Sequence, residues 1–134
     1  MADRNRHSVG DCLPHVRCVL MKTLAQIRLK DRDRAAIEEA ADLLRGRFAV
    51  EQVLLYGSKA SGTDDEESDI DLLVLTSREL SWQERGAMTD ALFDIEMAHG
   101  VVISPLIVPA AEWEHGRVAV LPIHQTIEES AVIP

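Results

Sequence analysis

The chain has 134 residues, enough for one domain and too few for two of ordinary size. Apolar residues make up 46% and charged residues 28%, the balance of a globular chain rather than a disordered or membrane-embedded one. Lys and Arg number 14 against 23 Asp and Glu, a formal net charge of −9. That sign argues against a general nucleic-acid binder, which needs a basic stripe to neutralise phosphates, but it permits a nucleotide held through a metal ion or a basic protein partner.

Residues 1–20 carry weak periodicity, several basic residues and two histidines. "MKTLAQIRLKDRD" from Met21 would itself make a reasonable start, so 1–20 reads as an extension and 21–134 as the domain. Cys12 and Cys18 have no second Cys or His pair to complete a zinc pattern, and they read as free thiols of a reducing compartment. From Asp31 to Phe48 the residues Ile37, Ala40, Ala41, Leu44 and Phe48 recur at three- and four-residue steps, one face of a helix with Asp31 or Asp33 as N-cap. "VEQVLLY" (50–56) then reads as a strand that stops at Gly57. "DIDLLVL" (69–75) makes a second strand whose tail is apolar on both faces, as a doubly covered central strand would be.

Ser81 followed by Glu84 is a capping-box pattern, and Met88, Ala91, Leu92, Ile95 and Ala98 continue at helical spacing to a stop at Gly100. "VVISPLIV" (101–108) is a third strand, and its Pro105 suggests an edge position or a bulge. A last short helix is expected from Pro122, a residue suited to the first helical position. "EHGR" after Trp113 reads as a solvated turn, while Trp82 and Trp113 read as packing residues. Met88, Phe93 and Met97 read as core or flank of their helix. The expected architecture is a single α/β domain, a small mixed sheet covered by helices. The longest apolar run is interrupted at Ser104 and Pro105 and falls far short of the roughly 20 residues that cross a bilayer. With no signal-peptide pattern near the start, a soluble cytoplasmic protein is expected.

Chemistry concentrates in "YGSKASGTDDEESDIDLLVL", residues 56–75. Gly57 and Ser58 end a strand at a tight turn, where glycine lets the backbone approach a ligand. If the chain turns helical there, its first N–H groups face an anion such as phosphate. Asp69 and Asp71, two apart on a strand, point to one face while Ile70 points to the other. Adjacent carboxylates repel unless a cation or proton lies between them, and Mg²⁺ commonly takes one or two carboxylates plus substrate phosphates. The four acids from Asp64 to Glu67 read as a solvated loop. Either half alone is commonplace; the fixed spacing in front of a buried strand makes the pair a candidate phosphoryl- or nucleotidyl-transfer site.

Gly57-Ser58, ten intervening residues, then Asp69-Ile70-Asp71 on a strand resembles the minimal nucleotidyltransferases of the polymerase-beta-like superfamily. The flanking "LLYGSKASG" and "SDIDLLVL" share the likeness, which runs from about Asp31 to Ile133. The resemblance implies a polymerase-beta-like fold in which Gly57 and Ser58 contact a nucleoside triphosphate. It also implies that Asp69 and Asp71 hold Mg²⁺ while a hydroxyl attacks the α-phosphate and pyrophosphate leaves. Lys59 would support phosphate charge.

Small stand-alone members resemble the antitoxin of two-gene modules whose partner is a HEPN-type ribonuclease toxin. The implied reaction is therefore transfer of AMP from ATP to a tyrosine of that partner. Two departures stand out: Ser104 occupies the place of the third carboxylate of active members, and Ser61 stands where an Arg is common. They keep two alternatives in view. One is a catalytically weakened protein that binds nucleotide or partner and acts by occlusion; the other is one half of a composite site in a homo-oligomer or completed by another chain. Neither a membrane nor a nucleic-acid substrate is implied. The five histidines (7, 15, 99, 115 and 124) show no ligand spacing and read as surface or helix-end residues.

Overall fold

The computed structural model describes residues 22–63 and 68–134. The extension at 1–20, both cysteines and the acids at 64–67 lie outside the described residues. Five strands form one sheet: β1 (Lys22–Thr23), β2 (Val50–Tyr56), β3 (Ile70–Thr76), β4 (Ile103–Pro109) and β5 (Val132–Ile133). Their order is β1-β5-β2-β3-β4. β2 runs antiparallel to β3 and β5, whereas β3–β4 and β1–β5 are parallel. β4 is thus an edge strand, where the missing N–H of Pro105 disturbs no inner ladder.

Helices cover both faces. α1 (Asp31–Arg47) and α3 (Trp82–His99) bury Ile37, Leu44, Met88, Leu92 and Ile95 against Val53, Leu55, Leu72 and Val74. On the other face α4 (Ala110–His115) and α5 (Pro122–Ser130) set Trp113 and Ile127 against Leu54, Leu73, Leu75 and Val108. The unbroken run Leu72–Leu75 follows from this sandwich, since both side-chain parities of β3 meet a helix layer and every one of the four is fully buried. A parallel step from β3 to β4 needs a crossover, and α3 supplies it.

Local signals set the bounds of several elements. Ser81 accepts the amide of Glu84 at 3.0 Å and the Glu84 carboxylate accepts that of Ser81 at 2.8 Å, closing the capping box of α3. Gly100 ends that helix at φ +70, its amide donating to Glu96. α5 starts on Pro122.

Three expectations need correction. "EHGR" is solvated but is not a simple turn: Glu114 and His115 close α4, and Arg117 opens a short 3-10 segment after Gly116, while Trp113 packs as expected, fully buried with its ring centroid 4.2 Å from that of His124 at a 31° tilt. Six residues are too few to show periodicity. Trp82 does not pack, being 86% exposed. The flanking Phe93 and Met97 are likewise exposed, whereas Met88 belongs to the core. Neither Asp31 nor Asp33 caps α1, because the helix starts one residue earlier, with Lys30 as N-cap.

Asp33 is diverted to a buried ion pair. Its Oδ2 accepts from Lys59 Nζ at 2.8 Å, with the two side chains 2% and 1% exposed. Its Oδ1 lies 3.7 Å from Arg32 Nε. The pair joins the first turn of α1 to the segment after β2. Ions so deprived of water are stable only together. Lys59→Met alone should therefore destabilise the fold by about 3 kcal/mol, the low end for a broken buried pair because Arg32 stays near Asp33. The double change Asp33→Leu/Lys59→Met should recover most of that loss. Urea unfolding of the three proteins checks both, and a double variant no more stable than the single one refutes the account.

Candidate functional site

β2 ends at Tyr56, and Gly57 turns the chain with φ +80 and ψ −158, a conformation open essentially to glycine alone. A Cβ there would also collide with the Asp71 carboxylate. Two independent constraints thus fix the residue. The next residues curl into α2 (Ser58–Ser61), where Ala60 and Ser61 donate to the Gly57 carbonyl at 3.1 Å each and Gly62 and Thr63 donate to that of Ser58. Gly62 ends the turn at φ +81. The half-buried Ser58 opens this turn, the place where helical amides lack an intrahelical acceptor.

β2 pairs with β3 so that Tyr56 lies opposite Asp71, and β3 pairs with β4 so that Asp71 lies opposite Ser104. Side chains two apart share a face, so Asp71 stands on the Leu73–Leu75 side of the sheet. Asp69 lies one residue before the strand, exposed, and its Oδ2 accepts from Ser104 Oγ at 3.0 Å. Partial burial, and then the neighbouring Asp69 charge, push the Asp71 carboxyl above the usual aspartate range. The Tyr56 phenol is raised as well, by its own burial first and by Asp71 second. Gly57, Asp69 and Asp71 are therefore brought together, with Ser58 on the residue after the bend.

Lys59 is placed otherwise. Its backbone belongs to α2, but its side chain runs into the interior to Asp33 and is 1% exposed. The ammonium neutralises a buried carboxylate instead of facing the space beside Asp71, and any help to a bound phosphate would come through the main chain. The expectation of a side-chain phosphate contact is corrected accordingly. Two residues were not connected with the site from the sequence. Tyr56 stands directly before Gly57, a usable signal because the last residue of β2 must face the entry of the antiparallel β3, here Asp71. Asp33 carried no signal, since its partner is 26 residues away.

The donor set is oxygen only: two carboxylates, one already unfavourable to ionise, with Ser104 bonded to the other. Among the described residues no group of three or more His, Cys, Asp or Glu is placed to hold a metal. Two carboxylates suit a hard divalent ion that draws its other ligands from water and substrate phosphate, and they do not suit a cage made wholly by protein. Glu96, the nearest acid in sequence before β4, accepts the Ile103 amide at 2.7 Å and so anchors the strand.

The family model for polymerase beta nucleotidyltransferases matches residues 38–106, just over half of the 134. Over 58 residues the chain is 33% identical to a putative protein adenylyltransferase of Methanocaldococcus jannaschii, covering 43% of this chain and 59% of that one. The chain therefore spans less than two thirds of that relative's length. A crystal structure of a toxin-antitoxin with AMP-PNP superposes with TM-score 0.50 at 18% identity, over 76% of this chain and 70% of the other, a likeness of fold. The helix-covered mixed sheet, the bend at Gly57 against Asp71 and the matching family model lead to one assignment: the chain belongs to the polymerase beta nucleotidyltransferase family.

Proposed function

We propose that this protein is a Mg²⁺-dependent adenylyltransferase that moves AMP from ATP onto a protein hydroxyl, a tyrosine of a HEPN-type toxin partner in the cytoplasm. The single observation that carries the reading is the closure of the Gly57 bend on Asp71 beside Asp69. The name of the archaeal relative supports adenylyl transfer to protein, and the toxin-antitoxin neighbour with AMP-PNP supports an adenine nucleotide and a protein partner.

Asp69 and Asp71 would hold the metal, which when bound offsets charge on the triphosphate. Gly57 and the amides opening α2 would receive phosphate oxygens, glycine allowing the approach that a side chain would block. The acceptor oxygen forms a bond to the α-phosphorus as the bond to the bridging oxygen breaks, and pyrophosphate carries away that electron pair. The hydroxyl proton passes to water, because the residue opposite Asp71 is Ser104 and not a carboxylate. Ser104 fixes Asp69 by its hydrogen bond but is no base at neutral pH.

That serine favours a second reading: a weakened relative that binds nucleotide and partner and neutralises by occlusion. Incubating the chain with α-labelled ATP, Mg²⁺ and the product of its neighbouring gene separates the two. Label on the acceptor that disappears with Asp69→Asn supports transfer, while a tight unlabelled complex supports occlusion. Under the transfer reading Ser104→Asp should raise the rate about tenfold or more by supplying a base; an unchanged or lower rate removes that role from the position.

Asp71 also yields a stability prediction with a definite sign. Its folded carboxyl binds a proton more tightly than the unfolded one, so its contribution to stability falls as pH rises from the ordinary aspartate range through the raised folded value. Asp71→Asn should therefore melt higher than the parent at pH 7 in chelator, by a margin that shrinks toward pH 3, and should lose Mg²⁺-dependent ATP heat in calorimetry. Equal melting points at pH 7, or retained heat, contradict the assignment.

A further inference from the structure

α3 turns Met88, Ala91, Leu92 and Ile95 into the core. Its outer face carries Trp82, Phe93 and Met97, which are 86%, 55% and 69% exposed. At 100° per residue these three fall within about 60° of arc, a stripe spread over about 22 Å, with Gly86 and the exposed Thr89 on the same face between Trp82 and Phe93. Beyond the helix end Val102 is also exposed, and Phe93, Met97, Gly100, Val101 and Val102 line a shallow groove with Glu96. Gly86 lies in the stripe with open space where a Cβ would be. Glycine inside an exposed helix costs about 1 kcal/mol relative to alanine, and no contact among the described residues requires it there. A notch between large apolar side chains lets a second backbone come close.

We infer that this stripe is the docking face for a partner protein that presents a helix with an apolar ridge flanked by Lys and Arg. The stripe is narrow and helix-long, the shape that an amphipathic helix fills. The charges beside it set the chemistry: exposed Asp90 and Asp94 flank one side, and on the other stand Glu96 and an Arg85 whose charge is met by Glu79 at 3.5 Å, in a chain of net charge −9. A second copy would bring the same acids against these, which disfavours self-association. An exposed Trp with apolar neighbours is the composition that dominates binding energy at protein interfaces.

The groove is joined to the start of β3 through the backbone. The Val102 carbonyl accepts the amide of Ile70, the residue between Asp69 and Asp71, at 2.8 Å, and Ser104, two residues on, bonds Asp69. A partner seated on the α3 end would lie at the same end of β3 as Asp69, on the face of the sheet opposite to Asp71. That this partner is the acceptor rests on the transfer reading above; the docking face itself does not.

The test uses the full chain and two synthetic helical peptides with identical leucine ridges, one flanked by lysine and one by glutamate. Trp82 is the reporter, since Trp113 is already buried. The lysine peptide should blue-shift the emission and bind saturably, at least tenfold tighter than the glutamate peptide. Phe93→Ser/Met97→Ser should weaken it about tenfold or more, and Asp90→Asn/Asp94→Asn severalfold. Asp69→Asn should bind it unchanged, so a failed transfer reaction and a failed docking face give different results. Equal binding of both peptides, or binding indifferent to the Phe93/Met97 pair, overturns the inference. So does sedimentation showing that the free chain dimerises through this face and that Phe93→Ser dissociates it.

Discussion

Antiparallel pairing of β2 with β3 sets Tyr56 opposite Asp71 and brings the next backbone atom pair, at Gly57, against the Asp71 carboxylate with room for a hydrogen and no more. The remainder of the site depends on that approach. It forces glycine at the bend, half-buries the carboxylate and so raises it, and aims the start of α2 toward the same space. The parallel ladder from β3 to β4 then adds Ser104 beside Asp69. Register is rigid here because β3 is buried on both faces, and a slip of one residue would exchange the contents of two cores.

The bend has a second anchor. Lys59 ties α2 to the first turn of α1 through Asp33, so the segment expected to receive phosphate is held by the sheet at Gly57 and by a helix of the opposite layer at Lys59. A charged pair in the interior is a poor source of stability compared with apolar residues of similar size, but it tolerates few alternative geometries. The charge that looked available for phosphate is thus spent on holding the turn. The site keeps an acidic pair with Ser104 beside it and no third carboxylate on β4.

Much of the fold was visible in residue patterns because the signals are local. β2 has the expected bounds, the capping box and Gly100 bracket α3 as read, and Pro105 and Pro122 hold the positions their chemistry favours. Elements without local signal went unread. β1 and β5 are two residues each and exist only by pairing with each other and with β2. α4 is too short for a period, and the exposure of Trp82 cannot be inferred from a large apolar residue at the start of an amphipathic helix.

At the site the division is similar. Residue type and spacing made Gly57, Ser58, Asp69 and Asp71 candidates, because a glycine bend and carboxylates two apart at the start of a strand are consequences of backbone geometry within twenty residues of chain. The direction of the Lys59 side chain, the role of Asp33 and the hydrogen bond from Ser104 to Asp69 emerged only in the folded molecule. Each depends on partners 26 or 35 residues apart, and no local pattern records which distant group a side chain will meet once the layers close.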